Sequence, residues 1–320
     1  MNGIPKTISR ASRDMGADVL PAVSATLSAE LSRLANFAIG ATSSSSAAAV
    51  AQQQQDRLSC VWLIEHLSTV EYYDDTANKL GQFWGVLRGI VSAAYGDGTV
   101  LREATRVMGA LARSGGAQMA DNIQNDIRLA LDWLRLSGVS AVAPGAAPGG
   151  SSGSLSSSGI GLSSSGIGSS LGSSGIGGGG GGGSASSFAD RKLAAVMVLK
   201  ELAQNAPVVF YVVMPQFMET IWVGLTDESD DVRNVSAVAL ECCMTICEQR
   251  QSSAKEQWYQ SLFDRAEREV RSNVAELVHG ALRVYEMLLR HSREFTYRRL
   301  SAVAKNVLMH KDNKEQAVRI

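Results

Sequence analysis

The sequence predicts an all-α protein that is built from stacked helix pairs and interrupted by one glycine- and serine-rich insert. Outside that insert, apolar residues recur at spacings of three and four, which is the period of a helix with one buried face. Leu80, Phe83, Trp84 and Leu87 show this spacing clearly. Long alternations of valine, isoleucine and threonine, which are typical of strands, do not occur. A unit of related sequence also returns along the chain, which indicates a repeat architecture.

The apolar spacing divides the chain into predicted helices. They lie near residues 18–40, 56–70, 76–94, 98–113, 118–136, 188–204, 207–226, 230–250, 255–270, 272–292 and 293–310. Turn-forming residues support the boundaries of one of them, since Asp97 and Gly98 precede it and Ser114, Gly115 and Gly116 end it.

The recurring unit has an acidic turn, a basic residue in the first helical turn, and then small and branched apolar residues. Its copies are DESDDVRNVSAVALECCMTIC (227–247), YGDGTVLREATRVMGALARSG (95–115) and FADRKLAAVMVLKELAQNAP (188–207), with Arg233, Arg102 and Lys192 as the basic residues. One helix of such a pair cannot bury its apolar stripe alone, so successive pairs stack into a solenoid. The pattern predicts a HEAT-type, armadillo-like α-solenoid of antiparallel helix pairs.

The clearest unit reads MPQFMETIWVGLTDESDDVRNVSAVAL (214–240). Pro215 is expected to bend the first helix of this pair. An aspartate of one turn and the basic residue of the next helix can form a ladder of charge pairs, which fixes the register of the stack more than it adds stability. The structural signature that we assign is Pro215, Asp227, Asp231, Val232, Arg233, Ala237 and Leu240, with Arg102 and Lys192 in the other units.

The insert spans residues 137–187. Its stretch SLSSSGIGLSSSGIGSSLGSSGIGGGGGGG (154–183) lacks the lysine of a phosphate-binding loop, because no Lys or Arg occurs between Arg135 and Arg191. Glycine loses much backbone entropy on ordering and serine offers no apolar area in return, so we predict a disordered linker. The predicted organisation is an N-terminal helix with a low-complexity Ser/Ala/Gln segment (1–55), HEAT repeats (56–136), the insert (137–187) and further HEAT repeats (188–320).

Charge and hydropathy limit the classes of partner. The formal net charge is −1, so we do not expect the chain to bind nucleic acid. The start lacks the apolar core of a secretory signal. The longest apolar stretch, APVVFYVVMPQFM (206–218), is shorter than the roughly 20 residues that a membrane span needs. We therefore expect a soluble, intracellular protein without a transmembrane segment.

Three of the four cysteines are close in sequence. On a helix, Cys243 and Cys247 share a face, and Cys242 adjoins them. Two thiolates on one helix do not complete a tetrahedral zinc site, and no second pair of Cys or His lies nearby. We interpret these residues as small apolar members of a buried helix and assign no metal, cofactor or catalytic residue to the chain.

Five strings, taken together, resemble the N-terminal HEAT region of TOR, the target-of-rapamycin kinases. They are DTANKLGQFWGVLRGIV (75–91), VMGALARSGGAQMADNIQNDIRLALDWL (107–134), DRKLAAVMVLKELAQNAPVVFYVVMPQFMETIWVGL (190–225), QWYQSLFDRAEREV (257–270) and VHGALRVYEMLL (278–289). The strings follow the family's order and cover roughly residues 55 to 310. The insert falls where the family has a short connection.

The resemblance implies a scaffold and no catalysis in this chain. TOR proteins are serine/threonine protein kinases of the phosphatidylinositol-kinase-related type, and the region that this chain resembles contacts partner subunits such as Raptor. It implies a role in nutrient and growth signalling within an oligomeric TOR complex. ATP and magnesium would be used only by the kinase domain of the parent protein. The implied location is the cytoplasm, with recruitment to endomembranes through partners and a nuclear location as further expectations.

The motifs of the chain agree with that expectation. Neither DFG nor HRD occurs, so no phosphoryl-transfer machinery is recognisable. His279, in the string VHGAL, is interpreted as a packing residue, and the acidic turn TDESDD (226–231) as a solvated turn rather than a cation loop. The string RRLS (298–301) leaves phosphorylation of Ser301 open.

Three functional hypotheses follow. The favoured one is the N-terminal HEAT scaffold of a TOR-type kinase, the second a stand-alone HEAT adaptor without enzymatic activity, and the third a nucleotide-using enzyme whose glycine-rich loop binds phosphate. The string NKEQAVRI (313–320) restarts the turn signal with no helix after it. We therefore expect the chain to be a fragment, or an incomplete gene model, of a longer solenoid.

Overall fold

A computed structural model gives the fold of the protein. It describes residues 47–68, 76–93, 97–139, 185–250 and 254–314, together with residues 29 and 318. Within these ranges all regular structure is helical, which confirms the predicted all-α class.

The helices agree closely with the predicted spans. They are α1 (Ala47–Ser68), α2 (Thr76–Ala93), α3 (Gly98–Gly115), α4 (Ala120–Val139), α5 (Ala185–Asn205), α6 (Pro207–Val212), α7 (Met214–Thr220), α8 (Trp222–Leu225), α9 (Asp230–Gln249), α10 (Ala254–Glu269), α11 (Ala275–His291), α12 (Arg293–Tyr297) and α13 (Leu300–Leu308). A single 3₁₀ turn, Gly116–Met119, joins α3 to α4.

Successive helices form antiparallel pairs that stack on one another. Helix α2 packs with α3, α4 with α5, the divided helix α6–α8 with α9, and α10 with α11. The second helices of these pairs, α3, α5, α9 and α11, lie side by side in one row, and α1 extends this row beside α3. Contacts of α4 with α6–α8, and of α7 with α10, form a second row. Because each pair buries its apolar face against its neighbours, the arrangement is the predicted α-solenoid.

The boundaries of α3 follow local turn chemistry. The Asp97 carboxylate accepts hydrogen bonds from the backbone N–H groups of Thr99 and Val100, both at 3.1 Å, and so caps the helix. At the other end, Gly116 has a φ of +50°, a conformation that glycine adopts without steric penalty. Both boundaries confirm the prediction.

The predicted helix 207–226 is bent, as Pro215 predicts. Val213 leaves helical geometry at φ −100° and ψ 5°, and Pro215 stands in the first turn of α7. Proline has no N–H to donate and its ring excludes the helical carbonyl contact, so the interruption comes just before it. A second interruption at Ile221 separates α7 from α8, and no residue of the sequence indicated it.

Two elements differ from their predicted bounds. Helix α1 begins at Ala47 rather than near residue 56, so Gln52–Gln55, which we placed in the low-complexity segment, are helical. Alanine and glutamine both have high helix propensity, which accounts for the extension. The predicted helix 293–310 is divided into α12 and α13 at Arg298 and Arg299.

Several predictions fall on residues outside the described ranges. These are the helix at 18–40, most of the segment 1–55, residues 140–184 of the insert, and the C-terminal string after residue 314 except Val318. Helix α4 continues to Val139 and α5 begins at Ala185, so the helices extend a few residues past the predicted edges of the insert. Residues 140–184 therefore connect the two helices of one pair.

A polar junction between α2 and α4 lies within the apolar core. The Trp84 indole Nε1 donates to Asp126 Oδ2 at 2.5 Å, and Arg88 Nη2 lies 2.6 Å from Asp126 Oδ1. Asp126 is only 4% exposed, and this burial raises the pKa of its carboxyl group although Arg88 opposes the shift. The junction joins two successive pairs within the second row.

Candidate functional site

The most densely bonded polar cluster is the turn between α8 and α9. Asp227 is buried, and its carboxylate accepts a hydrogen bond from Lys192 Nζ of α5 at 2.6 Å and one from the backbone N–H of Ser229 at 3.0 Å. Because Lys192 belongs to the preceding helix pair, α4 and α5, its ion pair with Asp227 connects two repeats. Because the carboxylate is shielded from water, its attraction to the ammonium group is stronger than at an exposed site.

Arg233, on the first turns of α9, holds the same turn from the other side. Its Nη1 donates to the backbone carbonyls of Asp227 and Glu228, at 2.6 and 3.0 Å, and its Nη2 pairs with Asp230. Its Nε donates to His279 Nδ1 on α11 at 3.1 Å. Every nitrogen of this buried guanidinium is therefore bonded, and the side chain links the turn to the following pair.

The charge pairs of the turn differ from the pairing that we expected. The sequence suggested that a turn aspartate would pair with the basic residue of the next helix. In the structure Asp227 pairs with Lys192 of the preceding pair, whereas Arg233 bonds Asp230, three residues away, and His279. The carboxylates of Asp227 and Asp230 are thus occupied by cationic side chains. The turn functions as an interlock between repeats: Glu228, Asp230 and Asp231 are exposed, as in the solvated turn that we interpreted, but Asp227 is buried.

The remaining residues of the assigned signature have two kinds of environment. The apolar ones, Val232, Ala237 and Leu240, are buried on the core side of α9. Arg102 and Asp231 are exposed and border a cleft of about 150 Å³ between α3, α5 and α9, together with Lys200 and Glu201. The structure therefore brings Arg102 and Asp231 to one shallow surface but does not include them in the interlock.

The cysteines of α9 lie in the core, as interpreted. Cys243 and Cys247 are buried and Cys242 is half-buried, all as free thiols. Burial raises the pKa of Cys247 to about 12 and that of Cys243 well above its ordinary value. At neutral pH both are protonated thiols, which are poor nucleophiles and poor metal ligands. Among the residues that the structure describes, no group of three His, Cys, Asp or Glu could hold a metal ion.

The histidines make structural hydrogen bonds. His66 Nδ1 lies 2.8 Å from the carbonyl of Trp62, and His310 Nε2 lies 2.7 Å from the carbonyl of Val270. For His279, burial and the nearby Arg233 and Arg283 lower the pKa of the imidazole, which is therefore neutral at pH 7.

A polar groove lies where α10, α11 and α12 meet. Its volume is about 510 Å³. The residues that line it are Glu248, Lys255, Glu256, Gln257, Tyr259, Gln260, His291, Ser292, Arg293, Glu294, Phe295, Arg298 and Arg299. Four of these residues are Lys or Arg and three are Glu, so the groove is polar and has a small excess of positive charge.

Side-chain stacking holds one wall of this groove. The Arg299 guanidinium lies 3.8 Å from the ring centroid of Phe295 and donates to Gln260 Oε1 at 2.5 Å. Phe295 in turn makes an edge contact with Tyr259 of α10. These contacts fix the short helix α12 against α10. The groove could not be predicted from the sequence, because its lining residues lie on different helices and follow no shared motif.

No helix within the described ranges is long and apolar enough to cross a bilayer.

Comparison with known proteins finds similarity to TOR serine/threonine-protein kinases. The chain is 27% identical over 266 residues to the serine/threonine-protein kinase TOR of Arabidopsis thaliana, a match that covers 83% of this chain and 9% of the relative. It is 29% identical over 248 residues to TOR of Oryza sativa subsp. japonica and 24% identical over 246 residues to TOR2 of Saccharomyces cerevisiae, each covering 77% of this chain and 8% of the relative. No protein-family model matches the chain.

These relatives confirm the resemblance that the five sequence strings indicated. The chain spans less than a tenth of the length of each of the three relatives. The similarity extends over most of the chain. The part of this chain that is similar to these kinases folds as a stack of helices. By sequence, the chain is therefore a homologue of the TOR serine/threonine-protein kinases.

Proposed function

We propose that this chain is the helical-repeat scaffold of a TOR-type serine/threonine protein kinase in nutrient and growth signalling, and that it binds partner subunits of the kinase complex. The observation that carries the proposal is the similarity to TOR kinases along about four-fifths of the chain, combined with a stacked-helix architecture. Phosphoryl transfer, with ATP and magnesium, belongs in this proposal to a kinase domain elsewhere in the parent protein.

The geometry of the stack supports a scaffold role. The interlock of Lys192, Asp227, Arg233 and His279 joins three successive helix pairs through buried hydrogen bonds. Such contacts restrict the rotation of one pair against the next, and small rotations per repeat determine the curvature of a solenoid. A surface of fixed curvature binds a partner without first having to become ordered, which lowers the entropic cost of association.

The proposal places the chain in an assembly. The partner that we propose is a Raptor-type adaptor within an oligomeric TOR complex. The proposed location is the cytoplasm, with recruitment to endomembranes through partners and a nuclear pool in addition.

A binding measurement with purified components tests the partner. The 320-residue chain and a Raptor-type adaptor of the same organism are titrated by isothermal calorimetry, with an unrelated α-solenoid of similar size as the matched control. We expect saturable, stoichiometric binding to the chain and none to the control. Absence of binding at concentrations up to tens of micromolar would overturn the partner assignment.

The size of the native protein separates the scaffold from a stand-alone adaptor. An antibody raised against KEQWYQSLFDRAERE (255–269) is used to blot whole-cell extract, and the transcript is sequenced downstream of the codon for Ile320. The scaffold proposal predicts a band many times heavier than a 320-residue chain and a downstream kinase domain. A band at the size of 320 residues with a stop codon would favour the stand-alone adaptor.

A further inference from the structure

We propose that the groove between α10, α11 and α12 binds a short acidic peptide segment of a partner protein. The proposal rests on the scaffold function and names a place where one partner segment would bind. The groove volume of about 510 Å³ lies within the range of roughly 300–1,000 Å³ that is typical of ligand-binding clefts.

Three cations of the groove form no ion pair with a carboxylate of the described residues: Arg299, which donates to Gln260 and to the carbonyl of Phe295, and Lys255 and Arg293. Lys255 is half-buried, and its Nζ lies 5.9 Å from the ring centroid of Tyr259, with no carboxylate of the described chain within ion-pair distance. Arg293, which also lines the groove, is exposed and likewise forms no ion pair with the described residues. A half-buried ammonium group without a counter-charge is incompletely solvated, so an incoming carboxylate would stabilise it.

The acidic residues of the groove do not supply that counter-charge. Glu248 contacts His291 at 3.3 Å, and Glu294 contacts Arg298 at 3.5 Å. Glu256 is exposed and forms no ion pair within the described ranges. Its negative charge disfavours a ligand that is acidic along its whole length and favours one with a carboxylate directed at Lys255.

Two buried polar atoms at the groove lack a hydrogen-bond partner. They are the hydroxyl oxygen of Tyr259, whose side chain is 1% exposed, and Nε2 of His291. Because Nδ1 of His291 faces the Glu248 carboxylate, the proton of a neutral ring belongs on Nδ1, and Nε2 is an acceptor. Tyr259 can donate to a carboxylate, whereas His291 requires a donor.

A peptide meets both requirements. Its acidic side chain accepts from Tyr259 and pairs with Lys255, and its backbone N–H groups can donate to His291. A simple carboxylate has no hydrogen-bond donor and would leave Nε2 of His291 unpartnered. The contacts of Arg299 with Phe295 and Gln260 hold the groove open before any ligand binds, which reduces the entropy lost on binding.

Peptide selection tests the inference. A random dodecapeptide library is selected on the purified 320-residue chain, and the selected peptides are synthesised with a fluorescent label for anisotropy titration. Each is compared with a counterpart in which Glu and Asp are replaced by Gln and Asn. We expect the selected peptides to contain acidic residues and the amide counterparts to bind about tenfold more weakly or worse.

Substitutions of groove residues test whether the selected peptides bind in the groove. The double variant K255A/R293A should lower the affinity of the selected peptides by about tenfold or more, and Y259F by several-fold, because the latter substitution keeps the ring and removes only the hydroxyl. K305A removes an exposed lysine of α13 outside the groove and should have no effect. Unfolding midpoints of all variants report whether each one is folded.

Three outcomes would overturn the inference. They are selection of no peptide, selection of peptides without acidic residues, and binding that K255A/R293A leaves unchanged. The Raptor-type adaptor is titrated into the same preparations of the chain, so that the groove proposal and the scaffold proposal are tested separately. If the adaptor binds and the peptides fail, the groove proposal falls and the scaffold proposal stands.

Discussion

Arg233 Nε donates a hydrogen bond to Nδ1 of His279 at 3.1 Å, across the boundary between two helix pairs. This bond requires an unprotonated Nδ1, so the proton of the neutral ring is on Nε2. Burial together with Arg233 and Arg283 lowers the pKa of His279 in the folded chain. The interface between α9 and α11 is therefore sensitive to protonation of one imidazole.

Acidification should weaken the fold through this histidine. The unfolded chain takes up the proton near the usual histidine pKa of about 6.5, before the folded chain does, so stability falls as the pH drops through that value. A single proton contributes at most about 1.4 kcal/mol per pH unit to this slope. Urea unfolding of wild type and His279→Asn at several pH values between about 5 and 7.5 measures it.

The asparagine variant is the matched comparison, since its side-chain oxygen can replace Nδ1 as acceptor for Arg233. We expect the wild-type free energy of unfolding to decline more steeply than that of the variant below about pH 6.5. Identical pH profiles for the two proteins would show that His279 does not bind protons differently in the folded and unfolded states.

Removing the cation of the buried ion pair should destabilise the stack. Lys192→Met keeps the aliphatic stem but leaves the Asp227 carboxylate, which is 6% exposed, with one backbone N–H as its described hydrogen-bond donor. We expect a loss of about 1–3 kcal/mol in the free energy of unfolding, measured by urea denaturation at pH 7. Lys305→Met, at an exposed position on α13, is the control and should be nearly neutral.

A double-mutant cycle isolates the pair itself. In the Asp227→Asn background the buried charge is absent, so Lys192→Met should cost less than it does in wild type. If the two substitutions are simply additive, Lys192 does not stabilise the Asp227 carboxylate, and the interlock rests on Arg233 alone.

Close approach of α11 to the end of α8 should make Gly280 intolerant of a side chain. A Cβ atom at Gly280 would lie 2.8 Å from the backbone carbonyl oxygen of Leu225 and 2.9 Å from Thr226 Cγ2. A backbone carbonyl cannot move aside as a flexible side chain can, so the helices would have to separate. We expect Gly280→Ala to lower the free energy of unfolding by about 1–3 kcal/mol, measured by thermal and urea denaturation.

For Gly85 we expect an alanine substitution to have the opposite effect on stability. It is exposed in the interior of α2, and a Cβ there would meet no atom within 4 Å. Gly85→Ala should therefore raise the free energy of unfolding by about 0.5–1 kcal/mol through helix propensity. If Gly280→Ala were also stabilising, the contact between α11 and the α8 carbonyl would be looser than the structure indicates.

The parts of the fold that depend on local chemistry could be predicted from the sequence. Helical periodicity located α2 to α5 and α9 to α11, and predicted α6–α8 as one bent helix. Asp97 identified the start of α3, and Pro215 identified the bend before α7. Each of these features depends on residues within one or two helical turns. The predicted start of α1 was wrong, because the composition of Gln52–Gln55 suggested a low-complexity segment. Glutamine has a high helix propensity, and in the structure these residues are helical.

Features that join distant residues could not be predicted in the same way. The sequence identified Asp227, Arg233 and Lys192 as signature residues, but their actual partners depend on how the pairs are rotated against one another. Lys192 precedes Asp227 by 35 positions, and His279 follows Arg233 by 46. The groove around Tyr259 and His291 depends on the same rotations, since it is formed by three helices at one corner of the stack.

Shortening the insert should leave the stack intact. Residues 150–179 lie between α4 and α5, and their removal leaves about 15 residues to connect the two helices. A shorter flexible loop loses less entropy on closure, so we expect the free energy of unfolding to rise by about 1 kcal/mol, as measured by urea denaturation. The same number of glycine and serine residues in scrambled order, at the original length, is the control and should match wild type.

The shortened chain also decides whether the glycine-rich stretch binds a nucleotide. The insert contains no lysine or arginine, so nothing in it can reach a β- or γ-phosphate as the lysine of a phosphate-binding loop does. Isothermal calorimetry, in which ATP and magnesium are titrated into the protein, should therefore detect no saturable binding to wild type or to the shortened chain. Saturable ATP binding to wild type that is lost on deletion of residues 150–179 would instead favour a nucleotide-using enzyme, because the scaffold proposal assigns the insert no ligand.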